Sequence, residues 1–289
     1  NPWYPIAEPS VAPANDGMPD ASRDLTSELV KLVQAMQEIK SEEDSRVNSY
    51  EIFVNQKQTR IRNSRGVDVT FSGFDCEIEV VTNSRKDDHE IEIYKDLRFS
   101  DKSAEKIIAE VRGMFHTGRQ RLNAVPTRQN EHADVLLSGD AVGRFFQYFA
   151  MHTNASYQYM GVAKAKIGES ITGADADPLN IRLVPTLDGS AKNTPYDETG
   201  MPVAERVLFE NGICRSYWGS LQHAHYIGMK DTTSMNNIVV EGGSKTIDEL
   251  RSMPHIEITD FSAFDMDAVS GTCGGEIRLA YESDGTTSH

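Results

Sequence analysis

The sequence predicts an α+β protein, largely antiparallel strands in meanders with interposed helices. Three observations carry that reading. Strand-like segments come in runs rather than alternating one by one with helices, short glycine- and asparagine-bearing turns punctuate the runs, and only a few stretches show helical periodicity.

Taken in order, residues 1–22 hold five of the eleven prolines together with Trp3 and Tyr4, and read as an extended arm that either packs on another surface or is disordered. Leu25, Leu29, Leu32, Val33, Met36 and Ile39 recur at helical spacing, so residues 24–41 form an amphipathic helix capped by Asp24. Strands follow at 50–54, 58–62, 67–71, 76–82 and 90–94, separated by turns at 63–66, 72–73 and 83–88. Charged residues alternate there with Ile78, Val80, Ile91 and Ile93, which gives one wet and one buried face. A second helix covers 102–115, started by Ser103. A short buried strand at 133–137 leads through Ser138, Gly139 and Asp140 into a third helix. Further strands fall at 178–185, 203–210, 213–217, 238–241, 256–260 and 277–281, with a helical turn at 247–252. Glu210-Asn211-Gly212 is the strongest hairpin signal in the chain. These elements divide into an arm (1–22), a helix–meander–helix layer (23–132) and a strand-rich C-terminal domain (133–289).

Composition bounds function. A chain of 289 residues buries a substantial core without staples, and the three cysteines Cys76, Cys214 and Cys273 are odd in number and widely spaced, which suits reduced thiols in the cytoplasm. The net charge of −15 argues against a nucleic-acid partner, since no basic stripe is present to meet a phosphate backbone. No apolar run approaches the ~20 residues of a membrane span, and no charged-then-apolar leader opens the chain.

The second half carries a series of ordered motifs. Tyr196-Asp197-Glu198-Thr199-Gly200-Met201-Pro202 precedes Leu208-Phe209-Glu210-Asn211-Gly212-Ile213-Cys214-Arg215-Ser216-Tyr217. Asn237-Ile238-Val239-Val240-Glu241-Gly242-Gly243 and Asp267-Ala268-Val269-Ser270-Gly271-Thr272-Cys273-Gly274-Gly275 follow, and Asn63-Ser64-Arg65-Gly66 lies upstream. In order and spacing these resemble the TldD/PmbA family over most of residues 47–282. The resemblance implies a metallopeptidase-related fold that works as a pair of related subunits, one bearing H-E-x-x-x-H and one lacking it, under an old label as modulators of DNA gyrase. It sets Gln147 at the first histidine, Tyr148 at the glutamate and His152 at the second histidine, within Gly143-Arg144-Phe145-Phe146-Gln147-Tyr148-Phe149-Ala150-Met151-His152. A carboxamide is a poor zinc ligand and a phenol a poor base at neutral pH, so no zinc is expected here although active members hold it; His152 is the one candidate ligand. The family's later cysteine ligand is expected beyond the last residue of this chain, and its first subdomain is expected to be missing or replaced by the arm.

Bland readings stand beside each candidate. Phe145, Phe146, Phe149 and Met151 are core-forming, and a histidine among them is more often a hydrogen-bonded core residue than a ligand. Five residues leave Gln147 and His152 about 140° apart on an ideal helix, so the helix is expected to bulge or end near 151–154 with Gln147, Tyr148 and His152 facing a cleft. On that basis Gln147→His with Tyr148→Glu is expected to create weak zinc affinity. His223 and His225 would share a face in a strand, but the resemblance implies a solvent-facing helix or loop. Cys273 near Asp265 and Asp267 suits a small buried thiol in a glycine turn, and Gly242-Gly243-Ser244-Lys245-Thr246 lacks the first glycine of a phosphate loop. No G-x-S-x-G elbow is present.

The sequence therefore reads as a PmbA/TldE-like, non-catalytic partner of a metallopeptidase pair acting in peptide proteolysis or maturation. A TldD-like paralogous subunit or a second copy is the expected partner, a peptide the expected substrate, and an oligomer the expected state. The alternatives are an active metal-dependent peptidase with a diverged site, and a standalone peptide-binding or scaffold protein.

Overall fold

Asp24 starts the first helix by accepting from the amides of Thr26 (3.3 Å) and Ser27 (3.1 Å), which gives α1 (Leu25–Gln37) two of the donors a helix start leaves over. This computed structural model describes residues 3–11, 18, 20, 22–126 and 132–286; the expectations for the rest of the arm and for the last three residues lie outside it.

Three long strands follow, β1 (Ser45–Arg62), β2 (Asp68–Lys86) and β3 (His89–Phe99), in the antiparallel order β1-β2-β3. They correct the five short segments the sequence suggests. Ser72 and Gly73 do not turn the chain but sit in the ladder opposite Gln58 and Lys57, and β2 runs on through Asn83 to a turn at Asp87 and Asp88. Phe74, Cys76, Ile78 and Val80 point to one face of β2, and α2 (Ala104–Asn123), capped by Ser103, packs Ile107, Val111, Met114 and Phe115 against them together with Leu32 and Met36 of α1. Ile78, Val80, Ile107, Val111 and Phe115 are fully buried, each worth roughly 1.5–3 kcal/mol by area removed from water.

The remaining strands form two sheets. β4 (Val135–Leu137), β9 (His255–Met266) and β10 (Cys273–Ser283) pair in the order β10-β9-β4, with the β4–β9 pair parallel. β5 (Ile181–Val184), β6 (Arg206–Glu210), β7 (Ile213–Cys214) and β8 (Asn237–Val240) pair antiparallel in the order β7-β6-β5-β8. The β6–β7 hairpin turns at Asn211 (φ 51°) and Gly212 (φ 76°), as its sequence predicts. Ile181, Leu183, Leu208, Phe209, Cys214 and Trp218 make a second core. Four short-to-medium helices join these strands: α3 (Asp140–Met151), α4 (Ala155–Met160), α5 (Leu221–Tyr226) and α6 (Ile247–Arg251), the last opened by a Thr246–Glu249 capping box. The α+β expectation holds.

The described part of the arm packs rather than floats. Ala7 is buried, its carbonyl accepts from Asn63 Nδ2 (2.7 Å), Glu8 pairs with Arg65, and Trp3 and Tyr4 stand edge-on to His225 and Tyr226. It therefore ties the β1–β2 turn to α5. No helix among the described residues is long and apolar enough to cross a membrane.

Candidate functional site

The candidate site is built around α3 and what stops it. Its N-cap is Gly139 at φ 68°, with no side-chain cap. At the other end Thr153 Oγ1 (2.7 Å), Trp218 Nε1 (2.8 Å) and the Thr153 amide (3.1 Å) all donate to the carbonyl of Ala150, while the His152 amide is shared between Tyr148 and Phe149. The carbonyl that would continue the α-helical ladder to residue 154 is thus taken. Asn154 turns away to cap α4 by accepting from the Ser156 amide (2.8 Å).

His152 sits at this break, 0% exposed. The Lys164 amide donates to its Nδ1 (3.0 Å), so the neutral ring carries its proton on Nε2. Among the described residues Nε2 is buried with no hydrogen-bond partner, and the ring stands edge-to-face on Tyr148 at 4.4 Å, where a ring N–H can point at a π face. Burial, and then the Lys164 cation, push its pKa below the ordinary histidine value.

Tyr148 is pinned from outside. Lys164 Nζ donates to its Oη (2.8 Å) and to the Ser270 carbonyl (2.9 Å), tying α3 to the β9–β10 turn. Gly271 backs directly onto that hydroxyl. Asp267 holds the turn by accepting from the amides of Ser270 and Val269 (3.1 Å), and the Ser270 hydrogen bonds draw its carboxyl below the usual range.

Gln147 is exposed and borders two clefts. One, of about 210 Å³, is walled by Gln147, Tyr148, Met151, Phe264 and Met266. The other, of about 670 Å³, lies between α3 and the chain leading into β8. The expected break at 151–154 is present, and Gln147 and Tyr148 do face a cleft. His152 does not, which corrects the expectation that all three would: its ring is fully buried, edge-on to Tyr148 and Tyr157 and under the Lys164 amide.

These residues do not fit a zinc ion. A carboxamide, a phenol already bonded to Lys164 and a sealed imidazole whose Nδ1 is occupied are not a ligand set, and among the described residues no group of three His, Cys, Asp or Glu could hold a metal. His223 and His225 lie on helix α5, where two residues apart means opposite sides; His223 bonds Ser220 (3.0 Å) and His225 meets Trp3. Cys273 is exposed at the start of β10 rather than buried in a turn, whereas burial lifts the Cys76 and Cys214 thiols to about 11. The 242–246 turn is held by Asp177, which accepts from the Ser244 amide (2.9 Å) and hydroxyl (2.7 Å), so it serves the start of α6. Sequence reasoning passed over Lys164 and Arg144. A lysine in a coil gives no pattern, and Arg144 inside an aromatic helix reads as its wet side.

With this geometry in place, comparison with known proteins defines the class. A family model described as the PmbA/TldA metallopeptidase C-terminal domain matches residues 130–288. The chain belongs to the PmbA/TldD family. Among solved structures it is similar to TldE from Thermococcus kodakarensis, with a TM-score of 0.77 at 18% identity over 98% of this chain and 68% of that one. It is also similar to a candidate modulator of a DNA gyrase from Thermotoga maritima, with a TM-score of 0.74 at 17% identity over 98% and 69%. A third, a candidate modulator of DNA gyrase from Bacteroides thetaiotaomicron, gives 0.64 at 14% identity over 97% and 68%. This chain thus spans about two thirds of each of those proteins. No curated protein sequence matches it.

Proposed function

We propose that this chain is the non-catalytic, TldE-like member of a metallopeptidase pair, binding or presenting a peptide to a paralogous subunit that carries the metal. One observation carries the reading. Where the family's zinc helix would place its ligands, this helix offers Gln147, a Tyr148 engaged by Lys164, and a His152 sealed from both clefts. The similarity to TldE supports it, since a fold kept without its metal ligands suits a partner rather than an enzyme. Three free thiols suit a cytoplasmic setting.

The test has two arms. Purified after growth with excess zinc and dialysed, the chain alone should retain no stoichiometric metal and leave an unfolded peptide intact. Mixed with a paralogue bearing H-E-x-x-x-H, it should form a stable complex that cleaves the peptide faster than the paralogue by itself. One equivalent of zinc retained by the chain, and lost in His152→Ala, would overturn the reading.

A further inference from the structure

The larger cleft brings two cations and an apolar wall together. The chain has a formal net charge of −15, so two cations on one cleft wall stand out against an acidic background. Arg144 and Lys192, both bordering this cleft, have no carboxylate within ion-pair distance among the described residues. Arg144 uses one guanidinium N–H on the Phe264 carbonyl (3.0 Å), which fixes the head group against β9 and leaves its other donors for a ligand. The Lys192 ammonium has no bonded partner among the described residues, so its charge can turn toward the cleft. In this cleft's lining one acid, Asp140, stands beside the two cations, which leaves the lining net positive, while Asp260 and Asp265 join Arg144 around the neighbouring clefts on the β9 side.

The remaining wall is apolar. Leu187 is 46% exposed, and Met235 and Ile238 complete that side. At Gly143 the helix presents bare backbone, with nothing within 4 Å of where a side chain would start, so an extended chain can lie close. An inorganic anion would need only the cations; cations beside an apolar pocket suit an anion with a side chain attached. We propose that this cleft binds the C-terminal carboxylate of a peptide, with Arg144 and Lys192 on the carboxylate and Leu187, Met235 and Ile238 around an apolar last side chain. The inference rests on the peptide-binding part of the function above and adds which end of the peptide is recognised.

The experiment is an amide and arginine Nε–H NMR titration of the isolated full chain with N-acetyl-Ala-Ala-Leu, its C-terminal amide, an amidated peptide with an internal glutamate, and acetate. The free acid should bind saturably, shifting Arg144 Nε–H and the Gly143 amide, and about tenfold more tightly than the amide, the worth of a charge-assisted pair. Arg144→Gln should abolish that preference, Lys192→Gln should lower it several-fold, and Asp140→Asn should raise it. Because Arg144 also braces Phe264, Lys192→Gln decides the matter if the arginine variant does not fold. Equal binding of acid and amide, or a preference that survives both substitutions, overturns the site. The internal-glutamate peptide or acetate binding as tightly as the free acid overturns its assignment to a chain terminus. Zinc retention would sink the non-catalytic reading without touching these results, so the two failures are distinguishable.

Discussion

His152 is where the structure differs most from a metal-site reading, and replacing it by alanine tests what holds the end of α3. The ring is 0% exposed, so its removal opens a void in a packed region, and loss of Nδ1 strips the Lys164 amide of its acceptor. A buried large-to-small change costs roughly 2–5 kcal/mol, and a lost hydrogen bond about 1 of that range, so a total near 3 kcal/mol is expected. His152→Phe keeps most of the volume and loses only the acceptor, so it should cost about 1–2 kcal/mol. The pH dependence has a definite sign. Because burial, and then Lys164, hold the native pKa down, the unfolded chain takes up a proton first as the pH drops below about 6.5. The stabilisation is fully present above that value and is lost as the pH falls through the native pKa. Lys164→Gln removes the second cause and should narrow the loss. Urea unfolding of the wild type and His152→Phe at pH 8 and pH 5.5 isolates the effect, since other groups titrate alike in both proteins. Imidazole 15N shifts should show a neutral Nε2-protonated ring at pH 7.5 and a titration midpoint below the ordinary histidine value. A cost below about 1 kcal/mol for His152→Ala, or a ring titrating at or above the ordinary histidine value, would refute this account.

The sealed imidazole also reverses the expectation of an easily rebuilt metal site: Gln147→His with Tyr148→Glu should not bind zinc by calorimetry, because the new groups face a cleft that His152 does not reach. Gly271→Ala should displace Tyr148 from Lys164, since a Cβ there would lie 2.8 Å from the phenol oxygen on a backbone at φ 79°; about 1–3 kcal/mol of stability should be lost, seen as a lower urea midpoint. Arg251 clamps the buried Glu257 through two bonds (2.9 and 2.7 Å), and with Ser138 (2.6 Å) draws that carboxyl below the usual range against the opposing effect of burial. Arg251→Met should cost about 1–2 kcal/mol at pH 7, discounted because the arginine is half exposed. That difference should shrink as the pH falls from above the unfolded carboxylate value through the native one, a trend that unfolding curves from pH 7 to pH 3 would show or exclude.

Glycine explains most of what the sequence hid about the strands and helices. Read as punctuation, Gly274 and Gly275 place a loop before residue 277, yet β10 already begins at Cys273. A Cβ on Gly275 would lie 2.7 Å from the Phe261 ring and 2.8 Å from the Ala263 carbonyl, so the residue is there for close approach of β9, not for a turn. Gly118 likewise falls past the predicted end of the second helix, yet α2 continues through it, so close to β2 that a Cβ there would meet Ser84 Oγ. The same glycine type does mark a true turn at Gly212, where asparagine precedes it and both residues take positive φ. Local sequence distinguishes these cases only when a turn partner stands beside the glycine; otherwise the deciding atom is on another strand. The site follows the same logic. The lead-in at Ser138-Gly139-Asp140 and the motif resemblance placed α3, and the five-residue spacing announced its break near 151–154. Which way His152 would face was set by the Lys164 amide, 12 positions away, and by where Trp218 helps end the helix at Ala150. Whether an inherited motif position is a ligand or a core residue is therefore decided by what seals it. In this chain Tyr148, Tyr157 and the Lys164 amide close over the imidazole, while Arg144 and Gln147 stay on the open side of the helix, where binding chemistry remains available.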